Sequence, residues 1–251
     1  SRFQVSRKTI AHACVPQPLT FNLKPLTPSC LTFSGFGVFS SSWNPVEGYK
    51  GKMMETKYPP ATRHLSGTST LPMIHVYYEF CQLKALYRQG WLRHGVSKAQ
   101  CESVAEHTLG VTLLALFLAD QHFPHLDQAK LLRMGLLHDF GEIYAGDIVP
   151  GEMGLDQKHA LEQQSVERVF RSLPKGEEYL AIWREFEEGQ TSEAKFIKEV
   201  DRLEMGLQAT IYEQEQMGDL ELFFQSTDRA LSTPELREIF DALQALRPKK
   251  A

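Results

Sequence analysis

Two histidines and two aspartates occupy places where a helical chain ordinarily puts leucine or alanine. His107 lies within the apolar run that starts at Val104, His138 and Asp139 follow Leu136-Leu137, and Asp201 follows Val200. Imidazoles and carboxylates are costly to bury without a partner, so four of them drawn into one core imply a shared partner. Two neutral imidazoles and two carboxylates suit a divalent ion such as Mn, Fe, Co, Ni or Zn. They also leave positions open for water and a phosphate oxygen. His107 alone would read as a satisfied core histidine. The adjacent His138-Asp139 pair is harder to explain by packing. Neighbouring helical residues point about 100° apart, and both reach one ion only at a helix end.

Further acids and bases surround these four. Glu142 lies four residues after His138 and three after Asp139, on the same side of a helix. There it can exchange a proton with a water or orient a ligand; the plainer alternative is a solvent-facing glutamate. Asp147 follows Gly146 in Tyr144-Ala145-Gly146-Asp147-Ile148-Val149-Pro150 and approaches the same pocket from a loop. Arg88 and Arg93, either side of Gly90-Trp91, offer forked donors suited to phosphate. Trp91 is placed to stack on a base or sugar, or equally to fill the core. Lys158 and His159, near the start of the next helix, read as a solvated face.

The elements that must position these residues are helices. Residues 73–89, 103–122, 128–140, 156–173, 176–188, 191–217 and 233–246 carry helical apolar spacing. Val104, His107, Val111, Leu114 and Leu118 share one face of the second. Gly146 and Pro150 break the chain after the third. Asp201 flanks a stripe of Ile197, Val200, Glu204 and Leu207. Thr233 and Pro234 mark the start of the last helix as cap and first residue. No alternating β pattern occurs from residue 72 onward, so the fold class is an all-α bundle, one domain over 72–247.

A chain of 251 residues supports one well-buried core with an appendage. The net charge of −4 implies no general affinity for polymeric nucleic acid. Residues 1–70 hold eight Lys or Arg against Glu47 and Glu55, which leaves about −10 on the remainder. An acidic body that binds an anion needs local positive charge, from a metal or particular arginines. Cys14, Cys30, Cys81 and Cys101 show no zinc-site spacing and read as free thiols in a reducing compartment. No apolar run approaches the roughly 18 residues of a membrane span. Residues 1–71 are rich in Ser, Thr, Pro and Gly and poor in acids. They are expected to be an irregular extension, disordered or resembling a transit peptide, and dispensable to the body. Translation from Met53, Met54 or Met73 is an alternative, and a chain opening on Ser1 reads as a fragment. The compartment is then the cytoplasm, or an organelle if the extension is a leader.

Five pieces in combination are specific: Arg88-Gln89-Gly90-Trp91; Glu102-Ser103-Val104-Ala105-Glu106-His107; Leu137-His138-Asp139 with Glu142; Gly146-Asp147-Ile148; and Glu193-Ala194-Lys195-Phe196 running into Val200-Asp201-Arg202-Leu203-Glu204-Met205. They resemble the HD-domain 5′-deoxynucleotidases, most closely the branch called HD domain-containing protein 2, over nearly all of residues 73–245. The resemblance implies an all-helical homodimer that hydrolyses a small-molecule nucleoside 5′-monophosphate, deoxyribonucleotides preferred. It implies one divalent ion such as Mn or Co, with Mg, Fe, Ni and Zn open. His107, His138, Asp139 and Asp201 match the metal ligands, Glu142 and Asp147 the acidic residues of catalysis, and Arg88 the arginine on the phosphate, with Arg93 a second choice. Phe140-Gly141 departs from the small or polar residues usual there. Rival readings are an HD phosphohydrolase for a cyclic nucleotide, a nucleoside triphosphate or an alarmone, and a non-catalytic helical scaffold stabilised by metal.

Overall fold

The structure, a computed structural model, describes residues 54–68 and 70–248; expectations for residues 1–53, Cys14 and Cys30 included, lie outside the described residues. Among the described residues ten α-helices follow one another: α1 (Pro72–Ala85), α2 (Gln89–Arg93), α3 (Val104–His122), α4 (Gln128–Leu137), α5 (Glu142–Ala145), α6 (Leu155–Phe170), α7 (Gly176–Glu188), α8 (Ser192–Gln214), α9 (Glu221–Ala230) and α10 (Pro234–Gln244). Among the described residues there is no sheet, only two isolated antiparallel bridges, Thr56 with Leu86 and Tyr87 with Ser103.

The helix starts explain much of the placement. Ser103 and Glu106 form a reciprocal capping box: the Ser103 hydroxyl accepts from the Glu106 N–H, and the Glu106 carboxylate accepts from the Ser103 N–H at 2.6 Å. Such a cap is worth about 1 kcal/mol, and it fixes where α3 begins, at Val104, three residues before His107. Asp127 and Thr191 cap α4 and α8 without the return bond: their side-chain oxygens accept the Lys130 and Ala194 N–H. Pro234 takes the first turn of α10, but Thr233 makes no side-chain cap bond. The Glu199 carboxylate accepts its N–H instead, at 2.9 Å.

Four expectations are corrected. The helix expected over 73–89 divides after Ala85, because residues 86–88 are extended and bond sideways. Val104 N–H donates to Leu86 O at 3.0 Å, Arg88 N–H to Glu102 O at 3.1 Å and Tyr87 N–H to Glu55 O at 3.3 Å. The helix expected to run to 140 stops at Leu137, and His138–Gly141 is a 3₁₀ turn. Helix α9 was not anticipated; it buries only Phe224 and Thr227, too few positions to print a stripe. Finally, the body expected to start at 72 takes in residues 54–68. A short 3₁₀ turn, Ala61–Leu65, packs on α1 and buries Leu65. This segment is ordered by backbone pairing and a few contacts, which leave no periodic signal.

Helix α8 is the spine, packed by α3, α4, α7, α9 and α10. One apolar cluster gathers Val111, Leu131, Ile197, Leu203, Phe224 and Phe240. A second gathers Leu83, Val104, Ile143, Val166, Phe170 and Trp183. His138 stands where they meet: its ring lies 5.4 Å from that of Phe186 in the first cluster, and its carbonyl accepts from Trp183 Nε1 of the second at 3.2 Å.

Candidate metal centre

Four side chains from three separate places converge at this seam. His107 comes from the second turn of α3, His138 and Asp139 from the 3₁₀ turn after α4, and Asp201 from mid-α8. Ligand atoms of His107, His138 and Asp201 all lie within 4.8 Å of one another. His107 Nε2 is 3.0 Å from Asp201 Oδ1 and 3.8 Å from Asp139 Oδ2, which is itself 3.3 Å from His138 Nε2. Both imidazoles are buried, His107 at 1% exposure.

Hydrogen bonds behind the rings set their orientation. His138 Nδ1–H donates to Gly135 O at 2.8 Å, which turns Nε2 and its lone pair to the centre. His107 Nδ1–H donates to Glu204 Oε2 at 2.6 Å. From sequence, Glu204 is only part of the α8 stripe. Its spacing of three from Asp201, on the same face of α8, was the available signal.

Three buried atoms here lack a hydrogen-bond partner: His138 Nε2, Asp139 Oδ2 and Glu142 Oε2. The first two are close but not aligned to bond each other. Buried acceptors left unanswered are costly, and two of these face the same point as His107 and Asp201. The donor set fits a divalent ion. The electrostatics agree. Burial would raise the Asp139 carboxyl, but the His138 charge beside it holds it well below the usual carboxylate range. Burial likewise opposes ionisation of Asp201, and the hydrogen bond from His107 outweighs it. Burial and Arg88 disfavour a proton on His107, yet hydrogen bonds to Asp201 and Glu204 push its pKa up to about 10. A centre that stabilises positive charge this strongly offers the same stabilisation to a cation that displaces the proton.

Around this centre Arg88 meets three carboxylates. Its Nη1 lies 3.6 Å from Asp147, 3.8 Å from Glu142 and 3.9 Å from Asp139. Asp147 accepts the Gln89 backbone N–H at 2.5 Å. Burial, then the charges of Asp139 and Asp147, raise the Glu142 carboxyl well above its ordinary value, with Arg88 opposing. The 3₁₀ turn makes residues three apart eclipse, so Asp139 and Glu142 face one way without the continuous helix expected. These residues line a cavity of about 660 Å³ whose other wall is Ile148, Val149, Pro150 and Met153.

The HD-domain profile matches residues 80–243. A 5′-deoxynucleotidase HDDC2 of Bos taurus is 33% identical over 199 residues, 77% of this chain and 94% of the relative. The 5′-deoxynucleotidase hdd1 of Schizosaccharomyces pombe is 32% identical over 148 residues, 56% of this chain and 72% of the relative. The crystal structure of PH0347 protein from Pyrococcus horikoshii superposes with a TM-score of 0.61 at 30% identity, covering 70% of this chain and all of that one. The chain belongs to the HD-domain family.

Within this HD domain, the remaining candidates fall differently. Trp91 does not line the cavity. It is 2% exposed, stacked on Phe223 at 4.0 Å and edge-on to Tyr212 at 5.3 Å, and its Nε1–H donates to Glu102 Oε1 at 2.8 Å. The ring is enclosed by protein, so the expectation that it stacks on substrate is corrected in favour of the other reading: it is a core residue. Arg93 also lies off the cavity, paired with Glu152 of the loop after Asp147. Lys158 lines the cavity rather than a solvated face, with its ammonium 2.7 Å from Glu162. His159 stacks on Trp183 at 5.7 Å and pairs with Glu187. Gly141 has a steric reason: a Cβ there would stand 2.7 Å from Glu162 Cβ, so the departure at Phe140-Gly141 admits α6 against the metal turn.

Proposed function

We propose that this HD domain is a metal-dependent 5′-deoxynucleotidase that converts a deoxynucleoside 5′-monophosphate and water to a nucleoside and inorganic phosphate. The observation that carries the reading is one cavity lined by His138, Asp139, Asp201, Arg88, Glu142 and Asp147, with the buried His107 ring immediately behind Asp139 and Asp201. The Bos taurus and Schizosaccharomyces pombe relatives, both 5′-deoxynucleotidases, point the same way. His107, His138, Asp139 and Asp201 would hold one divalent ion, Mn or Co by preference. When bound, the ion would polarise the phosphate and acidify a water.

The chain's own residues do the rest. Arg88 offers its guanidinium to the phosphate, and its three carboxylate neighbours fix its position. Burial, with Asp139 and Asp147, raises the Glu142 carboxyl above its ordinary value, which suits it to the role of the acid that protonates the 5′-oxygen as the phosphorus–oxygen bond breaks. Asp147 orients Arg88 and the attacking water. A cavity of about 660 Å³ has room for a nucleotide, and its apolar wall at Ile148, Val149 and Met153 is suited to the base.

The exposed row of Leu109, Leu113 and Phe117 on α3, four residues apart and with Phe117 at 55% exposure, supports a homodimer; light scattering tests it. Among the described residues no helix is long and apolar enough to cross a membrane. Free Cys81 and Cys101 favour a reducing compartment, the cytoplasm or an organelle. The deciding experiment is phosphate release from a panel of nucleoside mono- and triphosphates with Mn, Co, Mg and Zn. Release from deoxynucleoside monophosphates, with Mn or Co preferred, is expected. Exclusive action on triphosphates or cyclic nucleotides would transfer the domain to a rival HD chemistry.

A further inference from the structure

Gln89 is buried, yet it touches none of the cavity. Its side chain is fully engaged elsewhere. Nε2 donates to Glu55 O at 3.0 Å and to Tyr87 O at 2.8 Å, and Oε1 accepts the Glu55 N–H at 3.1 Å. The same residue's backbone N–H donates to Asp147 Oδ2 at 2.5 Å. The Asp147 carboxylate is therefore tethered to the segment Met54–Lys57 through a single residue.

That segment grips the site from a second side. Gly146, immediately before Asp147, has φ +82°, and a Cβ there would lie 2.7 Å from Met54 Cγ. Met54 is thus seated on the backbone that carries Asp147. The segment is itself pinned to the chain that carries Arg88. Lys57 N–H donates to Ala85 O at 2.6 Å, Tyr87 N–H donates to Glu55 O, and Thr56 bridges Leu86. The matched HD-domain profile begins only at residue 80, so these contacts come from chain that precedes it. No residue of 54–57 lines the cavity.

We propose that Gln89 and the Met54–Lys57 strap are positioning residues for Asp147. The strap fixes Gln89, Gln89 and Met54 fix Asp147, and the aspartate's free oxygen is thereby held toward Arg88. This rests on the catalytic reading of Asp147 given above. A group fixed by two independent contacts loses rate when released, because misplacement by about 1 Å costs up to about 10²-fold.

Gln89→Met keeps the side chain's length and removes its three hydrogen bonds. Glu55→Pro removes the N–H that the strap gives to Gln89, together with the exposed Glu55–Lys98 ion pair, and leaves the Gln89 side chain intact. In the full chain with Mn and a deoxynucleoside 5′-monophosphate, each is expected to lower kcat about tenfold with KM within about twofold and metal content unchanged. On an Asp147→Ala background, the same changes are expected to cost nothing further, because they act through Asp147. A merely structural role would cost the same factor in both backgrounds. That result, or an unchanged kcat in folded Gln89→Met, overturns the proposal; if Gln89→Met does not fold, Glu55→Pro decides by the same pair of comparisons. Amide exchange separates this proposal from the nucleotidase reading. Glu55→Pro is expected to speed exchange at the Gln89 amide whatever the substrate. Unchanged protection there overturns the tether even if the unaltered chain releases no phosphate, an outcome that would itself sink only the nucleotidase reading.

Discussion

Two groups of buried ionisable side chains lie a few residues apart in this domain and have opposite character. Around Tyr144, every group answers another. Its hydroxyl donates to Glu79 Oε1 at 2.6 Å, its N–H donates to Ser165 Oγ at 3.1 Å, and Arg168 stands over its ring at 3.8 Å. Around His138, the acceptors His138 Nε2, Asp139 Oδ2 and Glu142 Oε2 are unanswered, and Arg88 faces three carboxylates at 3.6–3.9 Å without a close bond to any. The residue types are alike. The first group has satisfied itself and contributes to the fold. The second is arranged to be completed by something that is not protein.

The largest effect should come from removing a ligand at the second group. Asp201→Ala is expected to lose the metal, and phosphate release should fall below detection. The metal-dependent part of stability, about 2.7 kcal/mol when metal is a hundredfold above its Kd, should vanish with it. Metal analysis and melting temperatures with and without a chelator read this directly. Unchanged metal content in Asp201→Ala would show the seam to be an ordinary buried polar network, and the contrast between the groups would dissolve.

Glu142 sharpens the contrast next, because it belongs to the seam without being one of the four candidate ligands. Glu142→Gln keeps size and hydrogen bonding and removes the transferable proton. Turnover of a deoxynucleoside monophosphate is expected to fall about 10²–10⁴-fold, with metal content and fold near native. Loss of metal in this variant would make Glu142 a ligand; full activity would move the proton-transfer role to Asp147.

What could be read from the chain follows the same division. The four candidate ligands were legible because an imidazole or carboxylate inside an apolar stripe is anomalous at its own position. The bundle was legible because α3, α7 and α8 each repeat apolar residues at helical spacing. Features that depend on contact with distant chain were not. Trp91 looks available to a substrate until Phe223 and Tyr212 are placed on it. Gln89 is an ordinary glutamine until Glu55 and Asp147 arrive from positions 34 and 58 residues away. Glu204 interrupts its apolar stripe, but its task, orienting the His107 ring, depends on a residue 97 positions away. The segment 54–57 has no period at all, because its order comes from backbone pairing.

Glu204 therefore supplies a prediction from the unreadable part. It accepts the His107 Nδ1–H and so fixes which ring nitrogen faces the centre. Loss of such a partner behind a metal histidine typically costs about 10–100-fold in metal affinity or activity. Glu204→Gln is expected in that range, read as a weaker metal-titration curve, well short of the loss in Asp201→Ala. An effect as large as the ligand's would promote Glu204 to the ligand set.

The smallest effect belongs to the self-satisfied group, and its sign can be worked out. Burial raises the Glu79 carboxyl above its ordinary 4.5, against the hydrogen bond from Tyr144 and the charges of Arg168 and Arg171. The folded state thus binds the Glu79 proton more tightly than the unfolded chain does. Stability from this group is full below pH 4.5 and is lost as pH rises through the raised value. At neutral pH, Glu79 is a half-buried charge held at some cost. Glu79→Gln has no proton to lose and still accepts from Tyr144. It should therefore be more stable than the parent at pH 7, with the advantage shrinking as pH falls through the raised value toward 4.5 and levelling off below it, and with kcat unchanged. Denaturant melts across pH measure the difference. An advantage that grew toward acid would mean that Arg168 and Arg171 hold Glu79 ionised after all. A change in kcat would mean that the two groups communicate, and the division between a structural cluster and a reactive one would fail at Tyr144.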